Sequence, residues 1–151
     1  MPIRHYPFTV LGRNSPPRPY LPALVRNPST GQGMHTWCLL DTGADRTFIP
    51  GVIAEAIGHE VLRGRQRTCG TGGGVAHAYE HTCEIDILAM NQNGQVQLND
   101  IRVTIPSGHI FVMPNLPLSL LGVNEFLGIH ILNIDYPKHV FSVLLPPRNI
   151  H

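Results

Sequence analysis

Between residues 78 and 88 the chain alternates strictly, with Tyr79, His81, Cys83, Ile85 and Ile87 on one face and Ala78, Glu80, Thr82, Glu84 and Asp86 on the other. A period of two sends successive side chains to opposite sides of a strand, so this segment predicts a half-buried β-strand. Elsewhere the apolar runs are short. Residues 21–25 and 36–40 read as strands joined by the turn Asn27-Pro28-Ser29-Thr30-Gly31-Gln32-Gly33, a hairpin that delivers the chain to Asp41. Residues 47–49 form a short extended piece stopped by Pro50 and Gly51, and 52–57 predict one or two helical turns closed by Gly58. Further on, 96–105 and 109–113 read as strands after the turn Asn91-Gln92-Asn93-Gly94. A short apolar run covers 118–121, a helical turn covers 124–127 and stops at Gly128, and 129–134 with 140–145 make a terminal hairpin around Pro137-Lys138. The pattern predicts a mostly β domain of many short strands with two small helices.

Proline changes the picture at the N-terminus. Prolines at 2, 7, 16, 17, 19 and 22 remove backbone donors and leave room for a short strand only at about 8–11. Residues 1–19 are therefore expected to form an arm outside the core, and 20–151 a single domain. Glycine changes it in the middle, where the four glycines between 70 and 74 imply flexible backbone at one spot.

Composition mainly excludes. A length of 151 residues supports one core, and 42% apolar residues argue against intrinsic disorder. Lys plus Arg number 11 against Asp plus Glu 10, a formal charge of +1 that argues against nucleic acid as a partner. No apolar run approaches the roughly 18 residues of a membrane span, and the start has no stretch like a signal peptide, so the expected product is soluble, cytoplasmic and without a membrane partner. Cys38, Cys69 and Cys83 are odd in number and lack C-x-x-C spacing, which fits reduced thiols better than a disulfide framework or a zinc knuckle.

The sharpest local feature is Trp37-Cys38-Leu39-Leu40-Asp41-Thr42-Gly43-Ala44-Asp45, an apolar strand running straight into Asp-Thr-Gly-Ala. The triplet alone is weak, since roughly one chain in ten or twenty of this length holds an Asp-[Ser/Thr]-Gly by chance. Its plain alternative is a β-turn after a buried strand. In context, however, the sequence resembles the retropepsin-like aspartic proteases. Pro117-Leu118-Ser119-Leu120-Leu121-Gly122 looks like that family's second signature, two apolar residues and a glycine followed by a short helix. Cys69-Gly70-Thr71-Gly72-Gly73-Gly74 lies where the family has its flap, the hairpin that closes over substrate. Residues 131–136 and 139–143 resemble its C-terminal hairpin, so the resemblance spans about residues 20 to 145.

The resemblance implies a retropepsin-like acid protease fold, a closed barrel-like β domain, and a role for each matched residue. Asp41 would be the catalytic carboxylate, and Thr42 would bond across to a second subunit's loop. Gly43 would admit the substrate backbone, and Asp45 would receive substrate main chain. Phe48, Leu118 and Leu120 would line side-chain pockets, and the flap, with Gly70, Gly72 and Gly73, would bind from above. Leu121 and Gly122 complete the second signature. One departure stands out: the family's retroviral members carry Gly-Arg there, the arginine pairing with the acid at position 45, whereas Val123 follows Gly122 here. Either Asp45 finds another cation, with Arg26 the first candidate, or the dimer contact is built differently.

The chemistry leads to a dimer. Hydrolysing an amide without metal or covalent nucleophile needs a water held between a base and an acid, and two carboxylates sharing a proton supply both. Two such groups about 3 Å apart cannot both ionise, and the aspartic proteases are the standard example of that constraint. This chain has one Asp-Thr-Gly loop, half an active site, so the partner carboxylate is expected from a second copy. The implied activity is a homodimeric aspartic endopeptidase acting on an extended peptide, with no cofactor and no metal. Ala44 lacks the hydroxyl by which Ser or Thr could favour the charged aspartate, so mildly rather than strongly acidic activity is expected.

Two alternatives remain open. A dimeric peptide-binding module could keep the fold without cleavage. His77-Ala78-Tyr79-Glu80-His81 matches the H-x-x-E-H pattern of zinc peptidases, but that chemistry needs a helix, and the period of two sends Glu80 away from His77 and His81. Arg63, Arg65 and Arg67 form the single basic run, expected to be a solvated hairpin edge. Tyr6-Pro7 resembles bonds cut by retroviral enzymes, which makes self-trimming of the arm conceivable.

Overall fold

The computed structural model describes residues 3–88 and 102–147, with 102–113 described by backbone alone. In chain order the strands are β1 (Ile3–Pro7), β2 (Tyr20–Arg26), β3 (Gly33–Leu40), β4 (Phe48–Pro50), β5 (Arg65–Thr71), β6 (Gly74–Ile87), β7 (Arg102–Met113), β8 (Ser119–Leu121), β9 (Ile131–Asp135) and β10 (Val140–Leu144). One short helix, α1 (Gly51–Ala56), follows β4, and single 3-10 turns cover Val61–Arg63 and Leu127–Ile129. The predicted turn at 91–94 and the start of the predicted 96–105 strand lie outside the described residues.

The alternating segment forms the second half of β6, and its length makes it the hub. Its first half pairs with β5 as a hairpin, while residues 79–86 pair with β7. At its C-terminal end Ile85 also meets Val25 of β2. The larger sheet runs β2-β3-β8-β4-β7-β6-β5, and the β2–β6 pairing brings β6 back to β2. Six strands thus follow one another in a circuit of pairings, with β5 attached to β6 outside it. A sheet that returns on itself leaves few unpaired edges and encloses its inward side chains. Leu21, Val25, Cys38, Ile49, Ile57, Ile85, Ile87, Leu121 and Phe126 are fully buried within it.

The predicted face of β6 is buried at Cys83, Ile85 and Ile87, but Ala78 and Asp86 on the opposite face are buried as well. Asp86 tolerates this because Arg26, diagonally across the β2–β6 ladder, forms an ion pair with it.

Three expectations need correction. The N-terminal arm is not outside the core: β1 pairs with β10, Ile3 opposite Val143 and Tyr6 opposite Phe141, and both Ile3 and Tyr6 are buried. The Tyr6 and Phe141 rings meet edge to face at 5.6 Å. Pro7 is the last residue of this strand, opposite Val140, and does not interrupt it, because β1 lies at the edge of the sheet β1-β10-β9, where a missing donor is tolerated. No strand forms at 8–11, where only Thr9 bridges to Arg18. The Tyr6-Pro7 bond therefore lies in a paired strand, not in a loose arm. Second, the segment at 102–113 is one strand, continuous through Pro106 and Gly108, because the ladder shifts register opposite the step from His81 to Cys83 and absorbs the irregularity. Third, Gly128 does not end the last helical turn but sits inside it, donating its N–H to the Val123 carbonyl at 2.7 Å.

Burial of an aromatic ring makes β1 a stability element. Tyr6→Ala should cost about 3 kcal/mol of unfolding free energy, while the exposed neighbour Arg4→Ala should cost less than about 0.5 kcal/mol. Urea unfolding at one fixed protein concentration checks both, and equal effects would contradict the packing of β1.

Candidate active site

β3 and β8 run parallel, Cys38 opposite Ser119, Leu39 opposite Leu120 and Leu40 opposite Leu121. At the end of this pair the chain turns. The Asp41 N–H donates to the Leu121 carbonyl at 3.1 Å, the Gly43 N–H donates to Asp41 Oδ1 at 3.0 Å, and the Ala44 N–H donates to the Asp41 carbonyl at 3.1 Å. The aspartate side chain thus organises its own turn, as short acidic residues do. The turn does not close the side chain off, and Asp41 remains half-exposed at the cleft.

The second signature passes directly beneath. Val123 and Asn124 donate their N–H groups to the carbonyls of Ala44 and Asp45, both at 2.9 Å, and the Gly122 N–H donates to the buried Thr47 Oγ1 at 3.1 Å. A Cβ on Gly122 would lie 2.1 Å from the Arg46 carbonyl oxygen, so no other residue fits without separating the two segments.

Above the loop stands the β5–β6 hairpin, turning through Gly72-Gly73, with Gly70 opposite Val75 and Thr71 opposite Gly74. Thr71 Oγ1 donates to the Gly74 carbonyl at 3.2 Å, and Gly74 has φ +123°, a conformation that favours glycine. Between hairpin and loop lies a cleft of about 750 Å³. Its floor is Asp41, Gly43, Ala44 and Asp45; Phe48, Leu116, Leu120 and Arg46 form the walls; Thr68, Cys69, Gly70, Thr71 and Gly72 form the roof. Five of the residues singled out in the sequence are not in this lining: Thr42 is exposed, Leu118 is half-buried in the strand approach, Gly73 lies at the turn, and Leu121 and Gly122 are buried. Arg46 and Leu116 carried no sequence signal, because neither belongs to the Asp-Thr-Gly-Ala or the Leu-Leu-Gly pattern.

Arg26 does not serve Asp45, because it is engaged with Asp86. Asp45 is exposed at the cleft, and no cation pairs with it among the described residues. The neighbouring Arg46 pairs instead with Glu125 at 3.2 Å.

His77, Glu80 and His81 lie on strand β6, not on a helix. Glu80 pairs with Arg67 of β5, and His81 Nε2 lies 2.8 Å from the Val61 carbonyl oxygen. Among the described residues no three His, Cys, Asp or Glu side chains come together in a group able to hold a metal ion. The basic run is partly matched along the hairpin, Arg63 by Glu60 and Arg67 by Glu80. The Cys38 thiol is pushed up to about 12 by burial, reinforced by Cys83 and opposed by a hydrogen bond with Ser119. Burial also pushes Cys83 up to about 12. At the roof, partial burial raises the Cys69 thiol too.

No protein-family model matches the sequence, and no curated protein matches it. Among solved structures the chain is similar to the crystal structure of a retropepsin-like aspartic protease from Rickettsia conorii, with 20% sequence identity, a TM-score of 0.54, and coverage of 94% of this chain and 96% of that one. The fold is therefore retropepsin-like and mostly β.

At the hairpin root the His59 and His81 rings lie 4.6 Å apart, and His59 Nε2 is buried with no hydrogen-bond partner among the described residues. Burial first, and then His81, hold His59 below its ordinary 6.5, against a hydrogen bond to the Thr82 backbone. The unfolded chain binds this proton more readily than the folded one, so stability is lost as pH falls through about 6.5 toward the folded value. Thermal unfolding should show a lower midpoint at about pH 5.5 than at about pH 7.5, and His59→Gln should narrow that gap. A gap unchanged by the substitution would count against this account.

Proposed function

We propose that this chain is an aspartic-type endopeptidase that works as a homodimer, each copy contributing Asp41. The observation that carries the reading is the position of Asp41, held by the parallel β3–β8 pair on the floor of a cleft roofed by a glycine-rich hairpin. A fold shared with a protein described as a retropepsin-like aspartic protease supports it.

In this mechanism the two Asp41 carboxylates share one proton and hold a water between them. The ionised one takes a proton from the water as its oxygen bonds to the peptide carbonyl carbon, and the protonated one donates to the carbonyl oxygen. Collapse of the tetrahedral species breaks the C–N bond: the departing amine receives the proton taken from the water, and the hydroxyl formed from the carbonyl returns its proton to the other Asp41. No metal or organic cofactor enters this sequence.

The remaining roles follow from position and chemistry. The substrate binds extended, as a strand between floor and roof, with apolar side chains against Phe48 and Leu120 of the cleft lining rather than Leu118. Asp45 accepts from its main chain, and Gly43 leaves room for its backbone. Gly70, Gly72 and Gly73 let the hairpin close and exclude water. Thr42, exposed beside the catalytic turn, is available to bond to the partner's loop. No helix among the described residues is long and apolar enough to cross a membrane, and we place the enzyme in the cytoplasm.

A peptide-library digest across pH tests the reading. Wild type should cleave best at mildly acidic pH, above about pH 3, chelators should have no effect, and Asp41→Asn should lower kcat by roughly a thousandfold or more. Peptide binding without cleavage would make the chain a binding module, and loss of cleavage on chelation would point to a metal. Ala44→Ser, which places a donor beside the dyad, should move the acidic limb of the pH–rate profile to lower pH. An unmoved limb would remove Ala44 from the explanation of the optimum.

A further inference from the structure

We propose that Glu125 is the positioning residue of the Asp41 loop, gripping it through Arg46 and the Thr47 amide. Its kinetic consequence rests on the endopeptidase reading; its structural consequence does not.

The Glu125 side chain is only 8% exposed. A carboxylate taken out of water at that depth is costly unless it is paired and hydrogen-bonded. Glu125 meets both conditions through a single short segment. Oε2 accepts the Thr47 N–H at 2.9 Å and Oε1 accepts Arg46 Nη1 at 3.2 Å, so the two oxygens grip consecutive residues of the loop. Thr47 returns the contact through its hydroxyl, which accepts the Gly122 N–H at 3.1 Å. The two segments are therefore tied in both directions, from 125 to 46 and 47, and from 47 back to 122.

Position makes the grip matter for chemistry. The backbone bonds from Val123 to Ala44 and from Asn124 to Asp45 carry the tie to the turn that Asp41 organises. Retroviral members of the resembling family would place a cation after the signature glycine and an acid on the loop. Here Val123 follows Gly122, while the acid, Glu125, sits beyond the signature and the cation, Arg46, sits on the loop. The charges are exchanged, and the ion pair is one residue further along the loop. Asp45 is thereby left facing the cleft without serving the lock, which keeps its carboxylate for substrate.

Two carboxylates that share a proton must be held at a set separation, and a misplacement of about 1 Å costs on the order of a hundredfold in rate. Glu125→Gln is the informative substitution. It preserves an oxygen for the Thr47 N–H but removes the charge facing Arg46 and turns an amide donor toward a guanidinium donor.

The test joins amide hydrogen exchange with steady-state kinetics on the full chain. In Glu125→Gln, exchange at the Ala44 and Thr47 amides should accelerate by about tenfold or more, with the Val143 and Phe141 amides of β10 unchanged. The same variant should lose about tenfold or more in kcat while KM stays within about threefold. Should Glu125→Gln fail to fold, Arg46→Met removes the cation and leaves the Thr47 acceptor, and a smaller acceleration at the same two amides is expected. Unchanged exchange at Ala44 and Thr47 overturns the proposal. So does equal acceleration across β10, which would make Glu125 a general contributor to stability. A wild-type protein that cleaves nothing refutes the endopeptidase reading, while the exchange measurement still decides the role of Glu125.

Discussion

Gly122 lies so close beneath the Arg46 carbonyl that a single added carbon would have to occupy space 2.1 Å from that oxygen. The whole lower half of the cleft depends on this approach. It lets the amides of Gly122, Val123 and Asn124 reach Thr47, Ala44 and Asp45, and it aligns β8 with β3 so that the Leu121 carbonyl receives the Asp41 amide. The turn that exposes Asp41 is therefore supported by a strand from the other end of the chain, not by local sequence alone. A residue presented on such a support is held more firmly than one on a free loop.

The support extends outward through the circuit of strands. β8 sits between β3 and β4, and β4 lies beside β7, which leads to β6 and the hairpin above the cleft. Floor and roof of the cleft are thus parts of one continuous sheet. β6 links them, packed at one end against the core by Ile85 and Ile87 and projecting at the other as the roof, where Val75 is 73% exposed. The gradient from buried to exposed along a single strand anchors the hairpin at its root and leaves its tip in solvent. Charge follows the same logic: Arg26 neutralises Asp86 in the core, and Arg46 neutralises Glu125 under the loop, while no cation among the described residues pairs with Asp45 at the cleft.

Much of this was legible from residue order, and the misses share a cause. The β2–β3 hairpin, the strand at β6, α1 and the terminal hairpin all carry strong local signals: period-two alternation, a turn rich in Asn, Pro and Gly, a closing glycine. Asp41 and its cleft neighbours Gly43, Ala44 and Asp45 were legible because the motif is contiguous, and Leu120 because it lies in the second apolar signature. The place of β1 was not, because six prolines in the first 22 residues obscure an edge strand whose partner is more than 130 residues away. Arg26 was assigned to the wrong acid because the β2–β6 ladder that brings it to Asp86 has no signature in either segment.

By itself the sequence determined most of the element types and the single Asp-Thr-Gly-Ala loop. These follow from spacing along the backbone and from the chemistry of individual side chains, both of which are local. Only the tertiary structure decided which charges meet. An ion pair depends on which strands become neighbours and in what register, and those relations arise when the sheet closes and buries its apolar faces together. For that reason Glu125, indistinguishable in the sequence from any surface acid, is found gripping the loop that carries Asp41.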